Sequence, residues 1–572
     1  MQFHSILLSV ALVATTCPCP AAEQAPVYRR VLFSGNSITR HGVAPQIGWT
    51  NCWGMAASAE AKDYVHLVVD GLAKRTGTRP EFTIHRLPLE RNYSDIAAVS
   101  NAAAQAAAWK PDLVVIALGE NAHAVTNDVE EAVCRAAYLK TVQILQAGGA
   151  QVLLRTPFWR MPRHDRLLGR VADATGARYV DTGDLAARKE MRADGLFAHA
   201  GVAAHPGDAG MAEIARRIVD VACAPYMRTP GDVVFKGVQI HGVSDLEPEA
   251  DGLYSFRRAG KGVHLALPNQ GRAMNAGSTG VEFRFVMRGD SVRLRLGTPS
   301  DGAFSRLTVY HGDLIGDWPE LNKTVHGRDC EITIRNLGAR EDLRSEAKSQ
   351  GHRFDPSVVR LVLPWGRVGI RDVVGDVEPP PPELCPKRTY LAYGSSITHG
   401  SNALAMETCY ASLVGEGLKA DVRNLGFAGA ARMEPEMADF IAGVPFDYAT
   451  LEMGINVLGM APAAFESRVR YFVRRVAESH PQARILAIDV FGNRLDAKGR
   501  AQAAAFRAIV RRVVAELARA NVTYMNGLDL LADGQDMSVG GAHPAPAGHA
   551  RIARGILARF LGSFFAEGHG RL

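Results

Sequence analysis

The sequence predicts an α/β protein interrupted by an antiparallel β-sandwich, and three observations carry that reading. Short apolar strands alternate with helical segments from Val27 to Pro225. From Gly231 to Asp376 the pattern changes to strict apolar/polar alternation. The first pattern then resumes from Lys387 to Phe565. A chain of 572 residues is long enough for roughly two to four domains.

In the first region "RRVLFSG", "DLVVIALG", "AQVLLRTPF" and "ARYVDTGDL" read as buried strands. Between them lie helical segments such as "DIAAVSNAAAQAAAWK" and "VEEAVCRAAYLKTVQILQAGG", the latter ending in glycines suited to a helix C-terminus. Such alternation implies a parallel sheet flanked by helices. In the second region "GVEFRFVMRG", "DSVRLRLGT", "SRLTVYHGD", "CEITIRNLG" and "VVRLVLPWG" alternate at period two, with Gly and Asp turns between them. That is the pattern of antiparallel sheets with one buried face, so a β-sandwich or jelly-roll is expected. Residues 377–386 include four consecutive prolines, Pro379 to Pro382, and read as a stiff linker. The third region offers the strands "RTYLAYG", "ADVRNLG", "DYATLEMG", "ARILAIDVFG" and "VTYMNGLDL". Before the last of these, Phe506, Ile509, Val510, Val513, Val514 and Leu517 share one face of an amphipathic helix.

Composition narrows the function. The chain is 47% hydrophobic and 22% charged, with a formal charge of +6. It has no dense Lys/Arg run interleaved with aromatics, so nucleic acid is not an expected partner. Residues 1–22 carry a short apolar core followed by small residues, as secretory signals do, and export is expected. Cleavage after Ala22 and lipid anchoring at Cys17 both fit this segment. No later stretch is long and apolar enough to span a bilayer. The cysteines beyond it (Cys52, Cys134, Cys223, Cys330, Cys385 and Cys409) are too sparse for a disulfide framework. None forms a CxxC pair and no Cys/His cluster has zinc spacing, so neither metal nor cofactor is expected.

One pentapeptide pattern occurs twice. "VLFSGNSITRHG" and "YLAYGSSITHG" both run from an apolar strand into Gly-x-Ser-Ile-Thr, giving Ser37 and Ser396 the same setting. Open α/β sheets place their ligand sites at strand carboxyl ends. A serine becomes a nucleophile only with a base beside it and fixed donors for the oxyanion. Each serine is followed by Gly-x-Asn at a later strand end, "LGENA" with Asn121 and "MGINV" with Asn456. Each domain then closes with His-Pro, His205 in "GVAAHPGDAGM" and His543 in "GGAHPAPAGHARIA".

This ordered set resembles the SGNH (GDSL-type) hydrolase family over both α/β regions. The resemblance implies two flavodoxin-like α/β/α domains flanking the sandwich, and metal-independent ester hydrolysis through an acyl-serine. It assigns Ser396 as nucleophile, His543 as base, Gly429 of "NLGFAGAA" as a backbone donor and Asn456 as a side-chain donor. Ser37, Asn121 and His205 match likewise, but "HRLPLERNYSD" stands without a glycine where the first domain's glycine block belongs. Both domains also lack the aspartate that the family places three residues before the histidine. Val202 and Gly540 stand there instead. Asp194 in the first domain and Asp536 or Asp533 in the second are displaced substitutes. The other solution is a Ser-His dyad whose imidazole is held by backbone, and the glycines after Asp536 favour it.

The middle region resembles, more loosely, jelly-roll modules that precede the hydrolase domain in carbohydrate-active members. Trp318 and Trp365 are its candidates for sugar stacking, with core packing the alternative. The expected function is an exported serine esterase that removes acyl groups, acetyl foremost, from glycans or other hydroxylated small molecules. The alternatives are a non-catalytic glycan-binding protein with hydrolase-like pockets, and a lipase or thioesterase of the same family.

Overall fold

The computed structural model describes residues 26–562 except 230, 250, 301–303, 317–322, 339 and 364. The expected signal at 1–22, Cys17 and Trp318 lie outside the described residues.

Two five-stranded parallel sheets are present, and they share one strand order. In the first, strand Arg30–Gly35 lies between Glu81–Ile84 and Leu113–Ala117, followed by Gln151–Arg155 and Arg178–Val180. In the second, Arg388–Gly394 lies between Ala420–Gly426 and Tyr448–Glu452, followed by Arg484–Ile488 and Val522–Met525. Successive side chains of a strand point to opposite faces. Val31 and Phe33 accordingly pack with helix residues Val65, Val68, Ile214 and Ile218, while Leu32 packs on the other face with Val142 and Leu145. The second domain repeats this, Leu391 and Tyr393 facing one core and Tyr390 and Ala392 the other. With helices on both faces, a central strand such as Leu113–Ala117 is buried throughout.

The helices start where side chains can accept their first N–H groups. Asp63, Asp95, Asn127 and Asp496 cap helices Tyr64–Thr76, Ile96–Ala108, Asp128–Ala147 and Ala497–Leu517. The last of these buries Phe506, Ile509, Val510, Val513 and Val514, and Phe506 stacks on Phe465 of helix Pro462–Ser479 at 3.7 Å.

Between the parallel sheets lie two antiparallel ones. Five strands form one, in the order Cys330–Arg335, Ser291–Gly297, Gly369–Val374, Tyr254–Arg257 and Asp245–Pro248. The other runs from Leu314–Ile315 through Phe304–His311, Val358–Val362, Glu282–Met287, Val238–His241 and Asp232–Phe235 to Tyr226–Thr229. Val292, Leu294 and Leu296 from one sheet and Phe283, Phe285 and Leu361 from the other share a single core. The proline-rich stretch is tied down at its start, where strand Val377–Glu378 pairs with Glu282–Met287.

Helices Lys261–Ala266 and Asn269–Asn275 are inserted in the sandwich after strand Tyr254–Arg257, and the first of them meets helices of both α/β regions, Pro162–Thr175 and Pro435–Ala442. A Cβ on Gly262 would lie 2.7 Å from the backbone N of Arg170, and one on Gly169 would lie 2.9 Å from Gly262 Cα. Only glycine on both sides permits this approach of helix Pro162–Thr175 to helix Lys261–Ala266. The six cysteines expected to survive export are all unpaired, with Cys134, Cys223 and Cys409 buried. Among the described residues no helix is long and apolar enough to cross a membrane.

Candidate active site

In the second domain strand Arg388–Gly394 ends in a tight turn, and Ser396 opens the short helix Ser396–His399. The turn is held from below by Glu452, at the end of the neighbouring strand. Its Oε2 accepts from Ser395 N–H at 2.5 Å and from the Thr398 hydroxyl at 3.0 Å. Burial pushes the Glu452 carboxyl above the usual range, and these bonds pull it part of the way back. Thr398 also meets the Tyr410 hydroxyl at 2.6 Å.

The loop before helix Pro546–Leu561 delivers His543, whose Nε2 lies 2.9 Å from Ser396 Oγ. Burial holds the imidazole pKa below its ordinary value. Asp536 does not approach it, because its carboxylate accepts from Arg551 Nε at 2.6 Å. Asp533 accepts from Asn493 N–H at 2.9 Å. Among the described residues no carboxylate bonds to His543.

Gly429 lies beyond strand Ala420–Gly426 with φ +68°, in the left-handed region that favours glycine. Asn456, after the positive-φ Gly454, uses its Oδ1 to accept from Ala431 N–H at 3.1 Å in the same loop, which leaves its amide N–H groups to donate. The loop's entry is fixed by Phe427 N–H donating to Gly394 O at 2.8 Å.

The first domain repeats the pair. Ser37 Oγ lies 2.8 Å from His205 Nε2, and His205 Nδ1 faces the Gly201 carbonyl at 2.7 Å. A carbonyl can only accept, so Nδ1 carries the proton and Nε2 is free to take one from Ser37. Burial lowers the His205 pKa, and the Gly201 bond offsets part of that. Asp194 is bonded to Arg192 and does not reach the imidazole. Thr39 meets Tyr64 at 2.7 Å, as Thr398 meets Tyr410.

The remaining donors differ. Asn121 Nδ2 donates to Glu90 Oε2 at 3.0 Å, while Glu90 Oε1 accepts from Gly119 N–H at 2.8 Å, Asn121 N–H at 3.1 Å and Asn36 Nδ2 at 2.9 Å. Asn36 also donates to Glu120, which is bound by Arg155 at 2.6 Å and by Phe158 N–H at 3.0 Å.

Residues 387–559, which contain Ser396, Gly429, Asn456 and His543, match the model of the GDSL-like lipase/acylhydrolase family. This segment is a GDSL-like acylhydrolase domain. No curated protein matches the chain. Among solved structures, a salicylyl-acyltransferase from a tetracycline biosynthetic pathway shares 20% identity over 59% of this chain and 99% of its own, at a TM-score of 0.47. A family two carbohydrate esterase from Cellvibrio japonicus shares 15% over 60% and 97%, at 0.38. An acetyl xylan esterase from the rumen bacterium Butyrivibrio proteoclasticus shares 13% over 55% and 98%, at 0.35.

Several groups around the GDSL-like domain's serine and its counterpart had no sequence signal of their own. Glu452 reads as one more residue in a buried strand. Glu90 stands in a block noted only for lacking glycine. The Thr398–Tyr410 pair could have been found, since Gly-x-Ser-Ile-Thr supplies the threonine in both domains. Arg258 and Gln270 belong to the sandwich, and only folding brings them to this site. Arg258 donates to the carbonyls of Asn424 and Gly426 at 3.0 and 2.8 Å, and Gln270 Nε2 donates to Ala428 O at 3.3 Å. Trp365 also borders the site, its indole N–H donating to His399 O at 3.0 Å.

Proposed function

We propose that the chain is an exported ester hydrolase with two SGNH-type α/β/α domains around a jelly-roll-like β-sandwich, and that the second domain works through an acyl-serine at Ser396. The observation that carries this is the 2.9 Å approach of His543 Nε2 to Ser396 Oγ inside a domain of an acylhydrolase family.

In this reading Ser396 Oγ attacks the ester carbonyl as His543 takes its proton. The oxyanion that forms accepts from Gly429 N–H and Asn456 Nδ2. His543 then returns the proton to the departing alcohol, and water repeats the sequence to release the acid. His543 acts as half of a dyad, since Asp536 and Asp533 are committed to other partners. The acyl group is small, acetyl foremost, a reading supported by Gln270 of the sandwich, whose amide fills the space a side chain on Gly429 would take. Glycans and other hydroxylated molecules supply the alcohol.

The test is Ser396→Ala, assayed on 4-nitrophenyl acetate and on acetylated xylo-oligosaccharides. Hydrolysis is expected to fall at least about a thousandfold. Wild-type-like turnover would move the chemistry away from Ser396.

A further inference from the structure

The first domain keeps its serine and its base but presents its donors to one of its own side chains. Asn121 and Asn456 hold the same place, each four residues beyond a strand and two beyond a positive-φ glycine, Gly119 or Gly454. In the second domain Asn456 turns its oxygen to the loop and bonds no acceptor through Nδ2 among the described residues. In the first domain Asn121 Nδ2 is bonded to a carboxylate. That carboxylate, Glu90, accepts four N–H groups: three on Oε1, from Gly119, Asn121 and Asn36, and one on Oε2, from Asn121.

Four donors converging on a single anion describe what a tetrahedral intermediate asks of its site. Burial alone would raise the Glu90 pKa, but the bonds from Asn121, Gly119 and Asn36 outweigh it and hold the carboxyl below its usual range. Glu90 is therefore ionised at neutral pH. The nearby guanidinium of Arg155 is bound to Glu120 instead. A second negative charge forming beside Glu90 would meet repulsion and find its donors taken.

We propose that Glu90 is a built-in occupant of the first domain's oxyanion site, and that it keeps the Ser37–His205 pair from being acylated. The inference rests on the reading of Asn456 as an oxyanion donor, and it assigns the hydrolytic work to the second domain alone. The first domain is then an esterase site silenced at the acceptor position, with its nucleophile and base still in contact.

The test uses a fluorophosphonate on the full-length chain, with the Ser37 and Ser396 peptides read separately by mass spectrometry. The serine oxygen bonds to phosphorus, fluoride leaves, and the histidine takes the serine proton. In the wild type Ser396 is expected to label at least about a hundredfold faster than Ser37, the scale of losing oxyanion donors. Glu90→Gly, which clears the carboxylate, is expected to raise Ser37 labelling at least about tenfold with Ser396 unchanged. Equal labelling of both serines in the wild type overturns the proposal, and so does a folded Glu90→Gly protein whose Ser37 rate stays at the wild-type level. If Glu90→Gly fails to fold, Glu90→Gln removes the charge and keeps the volume. A faster Ser37 then supports the proposal and an unchanged one overturns it. A wild type unlabelled at Ser396 counts against the proposed function, and against this inference as well if Ser37 stays silent in the variants.

Discussion

Among the described residues a protonated His543 has no carboxylate to rest against. Its pKa is lowered by burial, and the two nearby aspartates are bonded to Arg551 and to the backbone of Asn493. A base with a depressed pKa stays neutral, and so competent, as the pH falls, and is lost only when the pH passes below that depressed value. The acid limb of kcat/KM, which reports the free enzyme, is therefore expected below pH 6.5, the ordinary imidazole value. A limb centred above neutrality would mean that an anion stabilises the imidazolium. The same geometry makes Asp536→Asn mild. It removes an ion pair with a half-exposed arginine, so kcat should stay within about threefold, against about 10⁴-fold for an aspartate acting in a triad. A hundredfold fall in a folded variant would show that Asp536 reaches His543 during turnover.

At the scale of elements, the sandwich supports the loop that carries Gly429. Arg258 follows strand Tyr254–Arg257, is fully buried, and among the described residues faces no carboxylate. It donates to the carbonyls of Met274, Asn424 and Gly426 and lies over the Phe427 ring at 4.8 Å. Burial first, and the charge of Arg423 next, lower its pKa to about 9. A buried carbonyl left without a donor costs about 1–3 kcal/mol. Arg258→Met should therefore lower the Tm by several degrees and slacken the turn into Gly429. In the proposed mechanism that turn meets the oxyanion and not the bound ester, so kcat should fall about tenfold or more with KM little changed. Unchanged kcat in a folded variant would remove the sandwich from the chemistry. This dependence was not legible in the sequence, where nothing sets Arg258 apart from the other arginines of the middle region. The parallel strands were legible, since those buried on both faces are continuous apolar runs such as Leu113–Ala117. Edge strand Glu81–Ile84 was not, because none of its residues is fully buried and no apolar run marks it. At the site, Ser37, Ser396, Asn121, Asn456, His205 and His543 could be named because a repeated order marks them. Glu90 could not, because its role depends on which donors surround it.

At the scale of the molecule, the two α/β regions are joined by direct contact as well as by the sandwich between them. Asp173 of the first domain accepts from Lys261 and Gly262 N–H at 2.6 and 2.7 Å, satisfying the start of the sandwich helix Lys261–Ala266. Asp439 of the second domain is the stronger link. Its Oδ1 accepts from Tyr471 at 3.0 Å and Arg475 at 2.8 Å within its own domain. Its Oδ2 accepts from Arg135 at 3.0 Å and also from Arg170, both in the first domain. The carboxylate is 7% exposed, so removing it would leave several guanidinium groups facing one another away from bulk water. Breaking a buried pair from one side costs about 3–5 kcal/mol, and the lower end applies here because Arg135 and Arg475 are partly exposed and Arg170 retains Glu131. Asp439→Ala is expected to weaken the junction more than either core. Calorimetry should then show the first domain unfolding in a separate, earlier transition, while acetyl-ester hydrolysis at Ser396 persists until the later one. A single transition at the wild-type temperature would mean that the domains are held together by their apolar contacts and that Asp439 contributes little.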